Sequence, residues 1–245
     1  VESNKKRFKG SELQGKIIGI IGLGAIGIQV ANGALDIGMN VMGYDPFLSV
    51  SRAWELSSDV KPADNLESLL SKCDFISIHV PLLADTKNYI NKDNISKFKK
   101  GSVLLNFSRE DIVDQSCIIE SINNNHLGFY ASDFPSTDLL NTKHTLSLPH
   151  LGASTNEAED NCAIMICRQI KNFLDEGKIV NSVNFPNVSP DPKLKPRLVI
   201  LNKNIPSIVS QLTNVLASNN INISEMINKS KNDVACTIID IDTIP

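Results

Sequence analysis

Lys16-Ile17-Ile18-Gly19-Ile20-Ile21-Gly22-Leu23-Gly24-Ala25-Ile26-Gly27, with Val41-Met42-Gly43-Tyr44-Asp45 after it, decides the fold of this chain. Ile17, Ile18, Ile20 and Ile21 form a continuous apolar run, the pattern of a parallel strand buried on both faces. Gly22 to Gly27 is a G-x-G-x-x-G turn. Its first glycine suits a tight turn, its second lets backbone approach a pyrophosphate, and its third lets a helix close on the strand. Ile26, Val30, Ala34 and Ile37 then recur at helical spacing, and Gly38 stands where such a helix stops. The helix N-terminus directs free amides at the phosphates. A second strand, Val41 to Tyr44, delivers Asp45 eighteen residues past Gly27. That carboxylate can accept hydrogen bonds from a ribose 2′-hydroxyl and would repel a 2′-phosphate. The nearest following cation is Arg52, so NAD is expected rather than NADP.

Outward from this unit, strands are expected at Phe75 to Val80, Val103 to Phe107, Leu127 to Phe134 and Thr145 to Leu148. Helices are expected at Ser49 to Ser57, Leu66 to Ser71 and Asp114 to Asn124. Alternation of this kind indicates a doubly wound, Rossmann-type parallel sheet, with ligands at the carboxyl ends of its strands. His79, Arg109, Asp133 and His150 all fall at or just past such ends. A long helix starts at Ser154-Thr155-Asn156-Glu157, read as a capping box closed by Ser154 and Glu157. Its apolar face is Ala158, Cys162, Met165, Ile166, Ile170 and Phe173, and Gly177 ends it. Asn187 to Pro196, with three prolines, reads as a linker. Beyond it a strand, a helix and two strands make a βαββ order, half of a ferredoxin-like unit, too small to form a good core alone.

The 245 residues suit one large or two modest domains. A net charge of −3 gives no overall basicity that would suggest nucleic acid, and Lys5 to Lys9 reads as a solvated tail. No apolar run approaches the roughly 18 residues of a membrane span, and Val1 to Gly10 has no signal-peptide core. The five cysteines include no C-x-x-C pair, and three fall on apolar faces. Buried reduced thiols, no metal and a cytoplasmic setting are expected.

Taken in order, Gly22 to Gly27, Asp45, His79-Val80-Pro81-Leu82, Leu105-Asn106-Phe107-Ser108-Arg109 and Pro149-His150-Leu151-Gly152-Ala153-Ser154-Thr155 resemble the NAD-dependent D-2-hydroxyacid dehydrogenases. The resemblance implies His150 as acid–base residue, Arg109 on the substrate carboxylate, and an acid orienting His150. Asp138 is the expected partner of His150, with a plain loop residue as the other reading, and Asp133 is expected on the nicotinamide side. Cofactor contacts are implied at Gly22, Gly24, Ala25, Ile26, Gly27, Asp45, His79, Val80, Pro81, Phe107, Ser108, Arg109, Asp133, His150 and Gly152. Glu110 stands where the family generally has glycine, which implies either a charge near the expected anionic substrate or a different turn.

The tail, with Asn202-Lys203-Asn204-Ile205-Pro206, resembles an ACT regulatory domain. Asn204 and Asn222 match positions that bind L-serine between two such domains, and the other reading is that both only cap and turn. The whole implies oxidation of D-3-phosphoglycerate in serine biosynthesis by a homo-oligomer. Glyoxylate, hydroxypyruvate and D-lactate are alternative substrates, and a non-catalytic NAD-sensing protein is the alternative from another class. The expected division is the end of a substrate-domain segment at 1–9, an NAD domain at 10–153, a helix and return at 154–186, a linker at 187–196 and a partial ACT unit at 197–245. Without the rest of a substrate domain, weak or no turnover is expected of this segment.

Overall fold

The computed structural model describes residues 10–192 and 195–242. The expected substrate-domain remnant at 1–9 and its basic stretch lie outside them. The chain divides into two compact units, one ending at Leu151 and the other beginning at Gly152.

In the first unit the order is β1 (Ile17–Ile21), α1 (Ala25–Asp36), β2 (Asn40–Tyr44), α2 (Val50–Ala53), β3 (Lys61–Pro62), α3 (Leu66–Lys72) and β4 (Phe75–Ile78). Then follow α4 (Lys92–Ile95), β5 (Val103–Asn106), α5 (Gln115–Asn123), β6 (Phe129–Ser132), α6 (Thr137–Leu140) and β7 (Thr145–Ser147). All seven strands are parallel, in the order β3-β2-β1-β4-β5-β6-β7. The chain works outward from β1 to β3 and then returns to the other side of β1 with β4. That reversal opens a crevice at the carboxyl ends of β1 and β4.

Both faces of the sheet are covered. Ile18 and Ile20 pack with Ile28, Ala31 and Ala34 of α1 on one face, while Ile21, Ile76, Ile78 and Leu104 pack with Leu69, Leu70 and Ile118 on the other. This is why β1 reads as an unbroken apolar run rather than an alternating one. Cys73 and Cys117 sit inside, and burial pushes both thiols up to about 12.

The second unit contains α7 (Asn156–Glu176), β8 (Arg197–Lys203), α8 (Ile208–Ser218), β9 (Ile223–Lys231) and β10 (Val234–Ile241). Its antiparallel sheet has the order β8-β10-β9. The central strand is buried on both faces: Ile239 and Ile241 pack with Leu212 and Leu216 of α8, and Cys236 and Ile238 pack with Phe173, Ile179 and Val188.

Two expectations are corrected here. The linker at 187–196 is not free of the core, because Val188 is fully buried and pairs with Ile179 through two backbone hydrogen bonds of 2.9 Å. The boundaries expected at 186/187 and 196/197 therefore fall inside one unit. The cap of α7 is Thr155 rather than Ser154: its hydroxyl accepts from the Ala158 amide at 3.1 Å, which leaves Glu157 no box to close. Most of the apolar stripe of α7 stays uncovered, with Cys162, Met165, Ile166 and Ile170 all exposed. Among the described residues no helix is long and apolar enough to cross a membrane.

Candidate functional site: the carboxyl edge of the parallel sheet

The glycine turn sits at the crevice. Gly22 has φ +91, and a Cβ there would come within 2.8 Å of the His79 carbonyl carbon. A Cβ on Gly27 would overlap the Gly22 carbonyl oxygen, so helix and turn meet there without room for a side chain. At Gly24 a Cβ would meet nothing within 4 Å, leaving the backbone open to an approaching group. Ala25 and Ile26 begin α1, and Ile26 is 68% exposed.

Asp45 closes one side of this turn. Its Oδ2 accepts from the Leu23 amide at 2.8 Å and its Oδ1 from the Phe47 amide at 2.8 Å. Each oxygen keeps a further lone pair. Between the ends of β1, β2 and β4 lies a cavity of about 490 Å³, lined by Gly22, Gly24, Asp45, His79, Val80, Pro81, Phe47, Tyr44 and Tyr89 among others. His79 Nε2 is 2.9 Å from Ser77 Oγ, and burial lowers the pKa of its imidazole. Sequence reasoning misses Phe47, Tyr44 and Tyr89 as lining of this cavity. Their only signal is aromatic character near or past the ends of β2 and β4.

On the other side of the crevice β5 is followed by Phe107-Ser108-Arg109. Asn106, fully buried, shapes this turn: its Oδ1 accepts from the Ser108 amide at 3.2 Å and its Nδ2 donates to the Arg109 carbonyl at 3.0 Å. Ser108 Oγ donates to the Val80 carbonyl at 2.5 Å, tying the ends of β4 and β5. The Arg109 guanidinium donates to the Ser108 carbonyl at 2.7 Å. Glu110 turns aside, accepting from Gln115 Nε2 at 3.2 Å. Its carboxylate is thus engaged by the first residue of α5.

Past β6 and β7 the structure brings together Asp133 and His150, with Nδ1 and Oδ2 at 2.9 Å. The pairing expected of Asp138 falls to Asp133. Asp138 is exposed in the first turn of α6, which Ser136 caps, and its carbonyl accepts from the Thr142 hydroxyl at 2.7 Å. Once the chain coils at Thr137, the acid directly after β6 is the one left at the sheet edge. Phe134 stacks on the His150 ring with centroids 4.9 Å apart, a contact the sequence signals only by adjacency to Asp133. The other oxygen of Asp133, Oδ1, is buried with no hydrogen-bond partner among the described residues.

Arg109 and His150 follow β5 and β7, which flank β6, so both groups rise from the same edge about two strand spacings apart, roughly 10 Å. Gly152, with φ +53, belongs to the second unit and is not placed with the others. Asn204 and Asn222 are not brought together within the chain. Asn204 Nδ2 donates to the Asn232 carbonyl beside the start of β10, whereas Asn222 Nδ2 donates to Asp242 beside its end. Eight residues of strand, roughly 25 Å, separate them.

Comparison with known proteins follows the same lines. Residues 2–153 match the family described as D-isomer specific 2-hydroxyacid dehydrogenase, NAD binding domain. The chain is 37% identical over 218 residues to the D-3-phosphoglycerate dehydrogenase of Bacillus subtilis, covering 86% of this chain and 41% of that protein. Against the enzyme of the same name in Haemophilus influenzae it is 32% identical over 252 residues, covering 98% of this chain and 60% of that one. It therefore spans about two fifths to three fifths of these relatives' length. The NAD⁺-bound 3-phosphoglycerate dehydrogenase of Entamoeba histolytica superposes on 72% of this chain, 57% of its own, at a TM-score of 0.62 and 30% identity. An NAD complex of a formate dehydrogenase from Staphylococcus aureus gives 0.60 and 27%, over 73% of this chain and 54% of its own. A doubly wound parallel sheet with a glycine crevice, and a family match spanning nearly all of the first unit, place this chain among the D-isomer specific 2-hydroxyacid dehydrogenases, with NAD as its cofactor.

Proposed function

We propose that the polypeptide carrying this chain oxidises a D-2-hydroxy acid with NAD, and that D-3-phosphoglycerate, on the route to serine, is its substrate. The observation that carries the catalytic part is the His150–Asp133 pair beside Arg109 on the edge that holds the glycine crevice. The relatives named above support the choice of phosphoglycerate.

The cradle fits a dinucleotide. The open backbone at Gly24 and the first amides of α1 suit a pyrophosphate, and the free lone pairs of Asp45 suit the ribose hydroxyls. When bound, NAD accepts the hydride that leaves the substrate carbon.

The chain's own residues do the rest. Arg109 holds the substrate carboxylate through its fork of N–H donors and polarises the oxygen at the reacting carbon. His150 Nε2 takes the hydroxyl proton as the carbon is oxidised to the ketone, and returns it in reduction. Asp133 fixes the imidazole by accepting from Nδ1–H, so that Nε2 is the free base. Phe134 holds the ring in plane from one side. Serine control through the tail needs Asn204 of one copy and Asn222 of another, since one chain holds them at opposite ends of its sheet. Such an arrangement implies a homo-oligomer.

The test has two arms. Calorimetry with NAD and NADP on the chain is expected to show NAD binding and NADP at least tenfold weaker. A panel of 3-phosphoglycerate, glycerate, D-lactate and hydroxypyruvate, assayed for hydride transfer with the chain and with any longer polypeptide that contains it, identifies the acid. Binding of NAD with no transfer to or from any of them in the longer protein would leave a sensor and end the catalytic reading.

A further inference from the structure

Ser108 is the residue at which the two sides of the crevice meet. The β4–β5 ladder ends with Ile78 beside Asn106, and Val80 and Ser108 lie two residues further along each chain. The Ser108 amide does not continue the ladder but turns back to Asn106 Oδ1 at 3.2 Å. Its hydroxyl takes over that task and donates to the Val80 carbonyl at 2.5 Å. Its carbonyl accepts from the Arg109 guanidinium at 2.7 Å. Amide, hydroxyl and carbonyl of this half-buried serine are thus all engaged, each with a different part of the crevice.

Val80 stands in a wall of the cavity that His79, Pro81, Thr86 and Tyr89 also line. The far end of that wall is stitched to the chain just beyond Arg109. The Asn88 amide donates to the Asp111 carbonyl at 2.7 Å, the Ile90 amide to the Ile112 carbonyl at 3.1 Å, and the Asp114 amide to the Ile90 carbonyl at 2.9 Å. The Arg109 turn is therefore fastened to the wall at two places, by backbone at the rear and by one side chain at the front. A backbone seam is indifferent to most side chains, whereas the front tie depends on the hydroxyl of Ser108.

We propose that Ser108 is a positioning residue whose hydroxyl couples the wall of the dinucleotide cavity to the guanidinium of Arg109, so that cofactor in the cavity fixes where the substrate carboxylate is held. The coupling deepens the proposed function and rests on it. An alanine there leaves the Val80 carbonyl without this donor and frees the front of the turn to shift while the rear stays pinned. The role differs from that of Asn106, whose bonds to the turn stay within β5 and its continuation.

Ser108→Ala removes the tie, and Ser108→Thr keeps a hydroxyl at the same place. Amide hydrogen exchange on the chain reads the tie itself. Corrected for intrinsic side-chain rates, the amide of residue 108 is expected to quicken about fivefold in the alanine variant, while Asn88 and Ile90 in the rear seam and Ile20 in β1 stay within about twofold. The threonine variant is expected to return residue 108 close to the wild-type rate. In polypeptide that turns over, kcat/KM for the acid is expected to fall about tenfold with alanine, more than the affinity for NAD does, and to recover most of that loss with threonine. An unchanged rate at residue 108, or equal quickening at Asn88, Ile90 and Ile20, overturns the proposal, the second because it marks an ordinary stabilising contact. So does a loss in kcat/KM no larger than the loss in NAD affinity, since the arginine would then not depend on the tie. If the wild type binds no NAD or transfers no hydride, the proposed function falls, while exchange at residue 108 still decides whether the hydroxyl fastens the turn to the wall.

Discussion

The two units treat an arginine and an aspartate in opposite ways. In the second unit Arg197, its side chain 2% exposed, gives Nε and Nη2 to Asp240 at 2.6 Å each. Two further donors go to the carbonyls of Glu176, at the end of α7, and Asp191. Hydrogen bonding to Asp240 raises the guanidinium pKa above its usual value despite burial. In the first unit Arg109 spends one bond on its own chain, and Asp133 keeps a buried oxygen with no partner among the described residues. Closed polar networks hold a fold together, whereas an under-satisfied group at a crevice is available for chemistry. On the proposed function, the same residue types serve as a strut in one unit and as parts of the catalytic site in the other.

The sharpest way to break this contrast is at His150. His150→Asn keeps a side chain able to reach Asp133 but removes the base, and hydride transfer is expected to fall about a thousandfold while NAD binding persists. A loss below tenfold, read by stopped-flow formation of NADH, would remove His150 from the chemistry. Next comes Arg197→Met. It leaves the Asp240 carboxylate buried without its partner, and an expected cost of about 3 kcal/mol falls on the second unit alone. Denaturant unfolding followed separately in the two units, by exchange or by site-specific labels, checks this. Destabilisation shared equally by β1 and β10 would mean the strut is not local. Asp45→Asn follows. The variant still accepts from the Leu23 amide but no longer repels a 2′-phosphate, so the preference for NAD over NADP is expected to narrow by about tenfold, or 1.4 kcal/mol. An unchanged ratio in calorimetry would move cofactor choice elsewhere in the crevice.

Legibility in the amino-acid sequence divides along the same line. The first sheet is legible because burial on both faces writes itself as unbroken runs such as Ile17 to Ile21, and because three glycines with different steric demands stand at fixed spacing. His150 and Arg109 are legible as residues just past strand ends. Which acid meets His150 is not, since that depends on whether the chain coils at Ser136 or runs on, a choice made by one four-residue helix. Val188 is hidden for a similar reason. A lone apolar residue between prolines carries no period, and two backbone hydrogen bonds to Ile179 are what pin it. Asn204 and Asn222 are visible as residue types, but their distance depends on the length of β10 and no local pattern measures it.

The smallest effect tests that boundary between legible and hidden at a single residue. Ser154 and Thr155 offer the same hydroxyl, and sequence spacing favours Ser154 because Glu157 stands three residues on. Backbone direction favours Thr155, whose φ of −125 and ψ of 154 place its oxygen over the Ala158 amide. Few contacts restrain α7, since none of its residues is buried, so its first turn depends on that cap more than a packed helix would. Thr155→Ala is expected to cost about 1 kcal/mol and to quicken exchange at Ala158, whereas Ser154→Ala changes stability by less than about 0.3 kcal/mol. The reverse order would put the start of the helix one residue earlier and restore the capping box.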